Sequence, residues 1–371
     1  MRGTATRVAS PAQWPGEPRR RATIRDVALR AEVSLGTVSN VLNRPELVAP
    51  ETRQRVLDAI SDTGFVRSSA AHQLRAGKSR SIGVVILDVA NPFFTELVRG
   101  IEHTMVEHGY ALVLCSTDES ASREQRYLRM LEEHRVEGVL ATPAERDLTP
   151  FVALAERGVP TVLLDRPAPA GRLCAVTVDD ARGGELAAAH LFGLGHRRIA
   201  FVNGPATIRQ CADRRRGARR AARRAGLDAG DAIWEVLVPS LTAEQGEAAS
   251  ARVLEREPRP TAVMCANDLL ALGVLKGVVA RGLRVPEDLA LIGYDDVAFS
   301  SMLSPALTSV RQPKFELGAT AAGLLLEELS GSPHEHRQVV FAPELEVRAS
   351  TTGAGRPVGQ SAPPSAAAPS G

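Results

Sequence analysis

The sequence predicts an all-α helix-turn-helix headpiece followed by an α/β body of two doubly wound parallel-sheet lobes. Three observations predict it. Residues 22–64 carry short helical patterns and no strand, while from Ser81 onward strand-sized apolar runs alternate with amphipathic stretches. The alternation continues to residue 352, too far for one compact sheet layer.

Residues 1–20 hold Pro11, Pro15, Gly16 and Pro18 with little periodicity, and read as a disordered tail. The headpiece is expected over 21–65. Thr23 and Asp26 make a variant capping box ahead of a first helix whose apolar face is Val27, Ala28 and Ala31. Glu32 and Val33 form a tight turn, with Val33 plugging the corner. Ser34 caps a second helix whose inner face is Val38, Val41 and Leu42. Two short helices joined this way are a helix-turn-helix, and the first turn of the second offers Leu35, Gly36, Thr37 and Asn40 to a major groove. Pro50 opens a third helix over 51–63, with Val56, Leu57 and Ile60 inward and Gly64 as its stop; Ala49 is a weak cap. A three-helix protein-binding module is the alternative, which the basic charge of the segment disfavours. In the connecting segment 66–80, Ala70, Ala71, Gln73 and Leu74 favour a helix too short to be stable alone in water.

In the body, strands are expected at 82–87, 111–115, 138–141, 161–164, 175–178, 199–203, 235–238, 262–265 and 289–292. Helices are expected near 93–108, 121–134, 148–157, 181–194, 213–225, 243–256, 268–281 and 314–329. Gly109, Gly158, Gly195, Gly226 and Gly282 stand where helices end. Residues 353–371, mostly Gly, Pro, Ala and Ser, read as a second disordered tail.

The formal net charge of +2 conceals an asymmetry. Residues 1–80 carry 14 Lys and Arg against 7 Asp and Glu, and the remainder 31 against 36. A basic head on an acidic body suits a head that meets a polyanion. All but three of the basic residues are arginine, a coding bias, so arginine content by itself is not a nucleic-acid signal. No apolar run is long enough to span a bilayer, and no signal-peptide pattern follows the first arginines. Cys115, Cys174, Cys211 and Cys265 form no CxxC pair and read as reduced buried thiols. Together these features place the chain in the cytoplasm, away from membranes.

Catalytic motifs are missing: there is no Walker A loop, GxSxG, HExxH or GxGxxG. No catalytic residue, cofactor or metal ligand is expected, and His334 with His336 is read as a loop pair. The Asp179–Asp180 and Asp295–Asp296 doublets are read as turn-forming acids. Ligands of doubly wound folds bind beyond the carboxyl ends of strands. That rule selects Asp88, Asp165, Asn267 and Asp295, whose carboxylates and amide can pair with vicinal hydroxyls. Capping and turn formation are the alternatives for Asp165, Asn267 and Asp295.

The run from Thr23 to Asn43 (TIRDVALRAEVSLGTVSNVLN), Thr52-Arg53 and Gly64-Phe65 closely resembles the headpiece of the lactose-repressor (LacI) family of bacterial transcription regulators. The likeness continues through AHQL at 71–74, SIGV at 81–84, NPFF at 91–94, GHRRIA at 195–200, Asn267-Asp268, GYDD at 293–296 and Gln312-Pro313. It spans about residues 22–350.

The resemblance implies a body of periplasmic-binding-protein type, with one lobe at about 81–178 and 309–337 and the other at about 179–308 and 338–352. It makes 66–80 a hinge that folds on operator DNA, where Ala71 and Leu74 meet the minor groove and Leu74 is the intruding wedge. Arg67 and Ser68 replace the Pro-Asn usual there. Thr23, Ser34, Thr37 and Ser39 are assigned to phosphates and Asn40 to adenine or phosphate; Leu35 and Gly36 stand where relatives often place polar base readers, and Leu35 can touch only apolar base edges. Asp165, Arg214, Asn267 and Asp295 match effector-binding positions, and Phe93 and Phe94 match an apolar pocket wall. Arg214 is singled out from its arginine-rich run by the Arg-x-x-Gly pattern ending at Gly217; the rest of the run reads as a solvated helix face. Leu241 stands where several relatives carry an aromatic ring that stacks on the ligand, which disfavours a purine.

The reading is therefore a dimeric repressor of double-stranded operator DNA, released by a small molecule, with a sugar the expected class and no enzyme activity. The alternatives are a solute-binding protein of a transport system, or an enzyme on the same lobes.

Overall fold

The computed structural model describes residues 22–65 and 79–352. They fall into two units that divide between Ser79 and Arg80. The expected hinge helix, with Ala71 and Leu74, and both tails lie outside the described residues.

The head is three helices: α1 (Ile24–Arg30), α2 (Leu35–Asn43) and α3 (Pro50–Thr63). Val27, Ala28, Ala31, Val38, Val41, Val56 and Ala59 make its core. Leu57 is not inward as expected but 45% exposed, and Ala59 takes the buried position. A helix advances about 100° per residue, so the face carrying Val56 continues at Ala59 and Ile60 and turns Leu57 outward. Gly64 ends α3 in the left-handed region, at φ 62°, where a side chain is disfavoured.

The body holds two six-stranded sheets. The first is built by β1 (Ser81–Ile86), β2 (Ala111–Ser116), β3 (Gly138–Ala141), β4 (Thr161–Leu164), β5 (Cys174–Val178) and β11 (Gln338–Phe341), in the order β11-β5-β4-β3-β1-β2, all parallel. The second is built by β6 (Ile199–Asn203), β7 (Ile233–Leu237), β8 (Ala262–Cys265), β9 (Ala290–Asp295), β10 (Thr308–Arg311) and β12 (Glu344–Glu346), in the order β12-β10-β9-β8-β6-β7. Its edge strand β12 runs antiparallel to β10, the one exception to parallel pairing.

Helices cover both faces of each sheet. On one face of the first lie α4 (Pro92–Glu107) and α12 (Lys314–Leu329), packed on Ile82, Val84, Ile86 and Leu140. On the other lie α5 (Ala121–Glu133) and α6 (Thr149–Glu156), packed on Val85, Val139, Ala141 and Leu163. Val84 and Val85 serve opposite faces, as the two-residue period of a strand requires. Around the second sheet lie α7 (Asp180–Gly193), α8 (Arg209–Arg224), the short α9 (Ala229–Ala232), α10 (Ala243–Glu255) and α11 (Asp268–Val279); the four-residue α13 (Ala349–Thr352) follows β12.

The chain passes between lobes three times: after β5, after β10 and after β11. The expected passages at 309 and 338 need correction. Residues 308–311 pair with β9 in the second sheet, and 338–341 pair with β5 in the first. Both errors share a cause: β10 and β12 each hold a single apolar residue, and β11 and β12 have no fully buried position, unlike the equally short β3, β4 and β8. Among the described residues, no helix is long and apolar enough to cross a membrane. All four cysteines are free and buried.

Candidate functional site

In the head, Ser34, Leu35, Gly36 and Thr37 gather at the start of α2, Ser39 and Asn40 follow further along it, and Thr23 stands at the start of α1. Ser34 Oγ accepts the Thr37 backbone N–H at 3.0 Å and lies 2.9 Å from Thr37 Oγ1, so both side chains are engaged in capping. Thr23 donates its backbone N–H and its hydroxyl to Asp26 Oδ2, each at 2.7 Å. Ser39 supplies its backbone carbonyl to Asn43 Nδ2 at 2.6 Å. Ser34, Leu35, Gly36 and Asn40 are exposed, and Leu35 presents a large apolar side chain to solvent. The first turn of α2 thus shows a mixed polar and apolar face.

In the body, a cleft between the lobes opens to solvent. All six expected ligand-binding residues line it: Phe93, Phe94 and Asp165 from the first lobe, and Arg214, Asn267 and Asp295 from the second. Asp88, Leu87, Asn91, Glu119, Ile208, Gln210, Leu241 and Gln312 complete the wall.

The apolar side is built at the start of α4. Asn91 caps this helix by accepting the Phe93 N–H at 3.0 Å, and the Phe93 and Phe94 rings meet edge to face with centroids 5.1 Å apart. Opposite, Arg214 is buried. Its Nε donates to Asp180 Oδ1 at 2.7 Å and its Nη1 to the Ala266 carbonyl at 2.5 Å; its guanidinium lies 3.6 Å over the Tyr294 ring. Asp295 Oδ1 is 3.9 Å from Nη1. Burial opposes the guanidinium charge, but Asp180, Tyr294, Asp295 and Asp165 hold the arginine well above its ordinary range. Asp180 is therefore an ion-pair partner rather than a turn former. Asp296 is likewise paired, with Arg311 at 3.0 Å and Arg348 at 2.7 Å.

Backbone packing fixes where Arg214 sits. A Cβ on Gly184 would overlap the Arg214 carbonyl, and one on Gly217 the Ala181 carbonyl. Only glycine lets α7 and α8 approach this closely, which brings Arg214 within reach of Asp180. Not all of the neighbouring arginine run is a solvated face. Arg220 and Arg224 converge on Glu185, a carboxylate whose side chain is 5% exposed.

The carboxylates sit in strained backbone. Asp165 (φ 52°) and Asp295 (φ 108°) occupy a region that side chains rarely adopt, a condition typical of binding sites. Burial raises both carboxyls: Asp295 to about 7, and Asp165 well above the usual carboxylate range, with the charge of Asp180 adding to it. Asp165 Oδ1 and Gln312 Oε1 are buried oxygens with no hydrogen-bond partner. Gln312 Nε2 donates to Asp295 Oδ1 at 2.7 Å. Asn267 has both of its anticipated possibilities at once. Its Oδ1 caps α11 through the Leu270 N–H at 2.9 Å, while it lines the cleft and donates from Nδ2 to the Leu241 carbonyl at 3.0 Å.

The comparisons bear on this arrangement. Residues 23–68 match the family described as bacterial regulatory proteins, lacI family, and residues 188–351 match a periplasmic binding protein-like domain. An HTH-type transcriptional repressor PurR of Aliivibrio fischeri (strain MJ11) is 36% identical over 333 residues, covering 89% of this chain and 98% of the relative. The chain belongs to the LacI family of bacterial regulatory proteins. Among solved LacI-type structures, it resembles the transcriptional regulator CelR in complex with cellobiose, at 33% identity, TM-score 0.67, covering 89% of this chain and all of the other. It also resembles the lac repressor dimer bound to operator and the anti-inducer ONPF, at 27% identity and TM-score 0.76, covering 90% of this chain and all of the other. A LacI-family regulator of Enterococcus faecium with bound ribose is 32% identical over 73% of this chain and 98% of the other, with TM-score 0.67.

Sequence reasoning missed several wall residues of this LacI-family cleft. Gln210 lies in the first turn of α8, which the sequence reading began at 213. Gln312 follows β10, a strand it did not recognise. Glu119 follows the expected second strand, where the strand-end rule was not applied; burial and then Asp88 push its carboxyl up to about 7.

Proposed function

We propose that the chain is a cytoplasmic, homodimeric transcriptional repressor. Residues 22–65 hold a pseudo-palindromic operator, and a small polyhydroxylated ligand, a sugar or sugar derivative, is bound between the lobes and releases the DNA. Asn40 reads a base or phosphate, Leu35 lies against an apolar base edge with Gly36 beside it in the groove, Thr23, Ser34, Thr37 and Ser39 position phosphates, and Ala71 and Leu74 engage the minor groove. Phe93, Phe94, Asp165, Arg214, Asn267 and Asp295 hold the ligand.

One observation carries the ligand class. The cleft places two buried oxygens without a hydrogen-bond partner, Asp165 Oδ1 and Gln312 Oε1, on opposite lobes. Both wait for partners, and a molecule with several hydroxyls can donate to one and accept from or donate to the other. An apolar wall from the two phenylalanines suits the C–H face of a sugar ring. Leu241 offers no aromatic plane on which a purine base would stack. The names of the solved relatives with cellobiose and ribose favour the same class.

A ligand touching both lobes favours the closed body by its differential affinity for it, and no other term shifts that equilibrium. Closure then moves the first lobes relative to each other at the dimer interface, and the operator is released.

The test has two arms. A thermal-shift screen of sugars and nucleosides should find a stabilising sugar; at 100 times its dissociation constant a ligand adds about 2.7 kcal/mol. The same compound should then lower operator affinity of the full chain, while residues 81–371 alone bind the compound but not DNA. Operator binding by residues 81–371, or stabilisation by nucleosides alone, refutes the reading.

A further inference from the structure

At the amino edge of the first sheet, the edge opposite the cleft, four side chains with metal-ligating atoms meet. Cys174 opens β5, Glu328 lies in the last turn of α12, and His334 and His336 lie in the loop leading to β11. Cys174 Sγ is 3.0 Å from His334 Nε2 and 3.9 Å from His336 Nδ1. Glu328 Oε1 is 3.6 Å from each of those nitrogens. All four atoms lie within 4.8 Å of one another, and among the described residues this is the one group of three or more metal-ligating side chains that converges so.

The spacing matches a coordination sphere. Zinc with a sulfur at about 2.3 Å and nitrogen or oxygen at about 2.0–2.1 Å sets its tetrahedral ligand atoms roughly 3.3–3.7 Å apart. The four separations above bracket that range. A second observation also points to an ion. The Glu328 side chain is 10% exposed, and its Oε1 is buried with no hydrogen bond made to it. Such an oxygen, facing two imidazole nitrogens at 3.6 Å and a buried thiol, has only long contacts where burial calls for a close partner. The shell behind the cluster is also in place. Glu327 Oε2 lies 3.5 Å from His334 Nδ1 on the far side of that ring, and Cys174 Sγ accepts the Arg337 backbone N–H at 3.4 Å. Thiolate and imidazole select zinc-class ions over magnesium or calcium, which take oxygen ligands.

We propose that Cys174, Glu328, His334 and His336 bind one zinc-class divalent ion with four protein ligands. No solvent position is needed to complete the tetrahedron, so the site is structural or sensory rather than catalytic. The ion joins the end of α12 and the loop after it to the start of β5, at the sheet edge where Ser81 enters β1. Binding exchanges the Cys174 thiol proton for the ion and releases that proton to solvent, so affinity falls as pH falls. In the sequence the two histidines stand alone in a loop, and Cys174 is 160 residues from His334.

Cobalt(II) is the probe. The full chain, stripped with a chelator and dialysed, is titrated with cobalt under reducing conditions. One equivalent should bind, with the strong visible bands of a tetrahedral ion and a near-ultraviolet sulfur-to-cobalt charge-transfer band, both lost on adding zinc. Cys174→Ser should abolish the charge-transfer band, and His334→Gln with His336→Gln should abolish the visible bands; His196→Gln should change neither. Circular dichroism of each variant checks that it is folded. Absence of tetrahedral cobalt bands in the wild type overturns the proposal, since the cluster is then only a hydrogen-bonded group. Survival of the charge-transfer band in folded Cys174→Ser overturns it equally.

Discussion

Gln210, in the second lobe, donates its Nε2 hydrogens to Asp165 in the first, at 2.6 Å to Oδ2 and 2.8 Å to the backbone carbonyl. Both residues are buried. The bond joins the two lobes and contributes only while they are together.

Gln210→Ala should therefore loosen closure. A hydrogen bond of this kind contributes about 1.5 kcal/mol, roughly tenfold in an equilibrium. Small-angle scattering of the ligand-free variant should give a larger radius of gyration than the wild type, and the effector midpoint should rise about tenfold. An unchanged radius and midpoint would mean that the lobes are held by other contacts.

Replacing Arg214 should separate two roles that the structure combines. Arg214→Ala leaves Asp180 buried without its cation, which costs on the order of 3–5 kcal/mol and should appear as a large loss of thermal stability. Arg214→Lys keeps the charge but loses the bonds from both Nε and Nη1 and the stacking on Tyr294. It should stay folded, bind operator as the wild type does, and need roughly ten to a hundred times more effector. Equal effector response in Arg214→Lys would leave the arginine a purely structural group.

Stability should fall as pH rises toward neutrality. In the unfolded chain Asp295 titrates near its ordinary value of about 3.9, whereas burial sets its folded value at about 7. The folded state thus holds more protons between these values. Its stabilising contribution is fully present below about pH 4 and is lost as pH rises to about 7. Asp165 and Glu119 act in the same direction. Melting temperatures measured from pH 5 to 8 should decline, and Asp295→Asn should flatten part of that slope and melt higher than the wild type at pH 8. Parallel curves for the two proteins would show that Asp295 is ionised throughout.

On the DNA side, Asn40→Ala should reduce specific operator affinity by about 1–3 kcal/mol if the amide reads a base edge. Non-specific affinity at the same salt concentration should change little. An equal loss on both, with a shallower salt dependence, would assign Asn40 to phosphate instead.

The parts legible in the sequence were those whose physics is local. The capping box at Thr23 and Asp26, the Ser34 cap and the glycine stop at Gly64 are each settled by a few adjacent residues. The nine expected strands are largely apolar runs of four to six residues, and each appears within two or three residues of its expected bounds. The strand-end rule found Asp165, Asn267 and Asp295 because a parallel sheet places such positions on one side. Gln312 and the lobe passages near it were illegible because β10, β11 and β12 gain their order from neighbours far along the chain. Cys174 and Glu328 were invisible as a pair for the same reason. Leu57 was misplaced where two apolar residues stand side by side and only one can face the core.

The three passages between lobes also set an order of completion during synthesis. The head is finished once residue 65 has emerged, and the second sheet has all but its short antiparallel edge by residue 311. The first lobe begins earlier yet ends later. Its helix α12, whose Gly318 fits against the Leu97 carbonyl of α4, and its outer strand β11 arrive only at residues 314–341. Until then α4 shows a bare apolar flank and β5 an unpaired edge to the crowded space around the ribosome, where such surfaces are prone to stick. The lobe that starts first is thus the one that a nascent chain must protect longest, and a messenger cut just before residue 314 yields a head joined to a first lobe that lacks one helix and its outer strand.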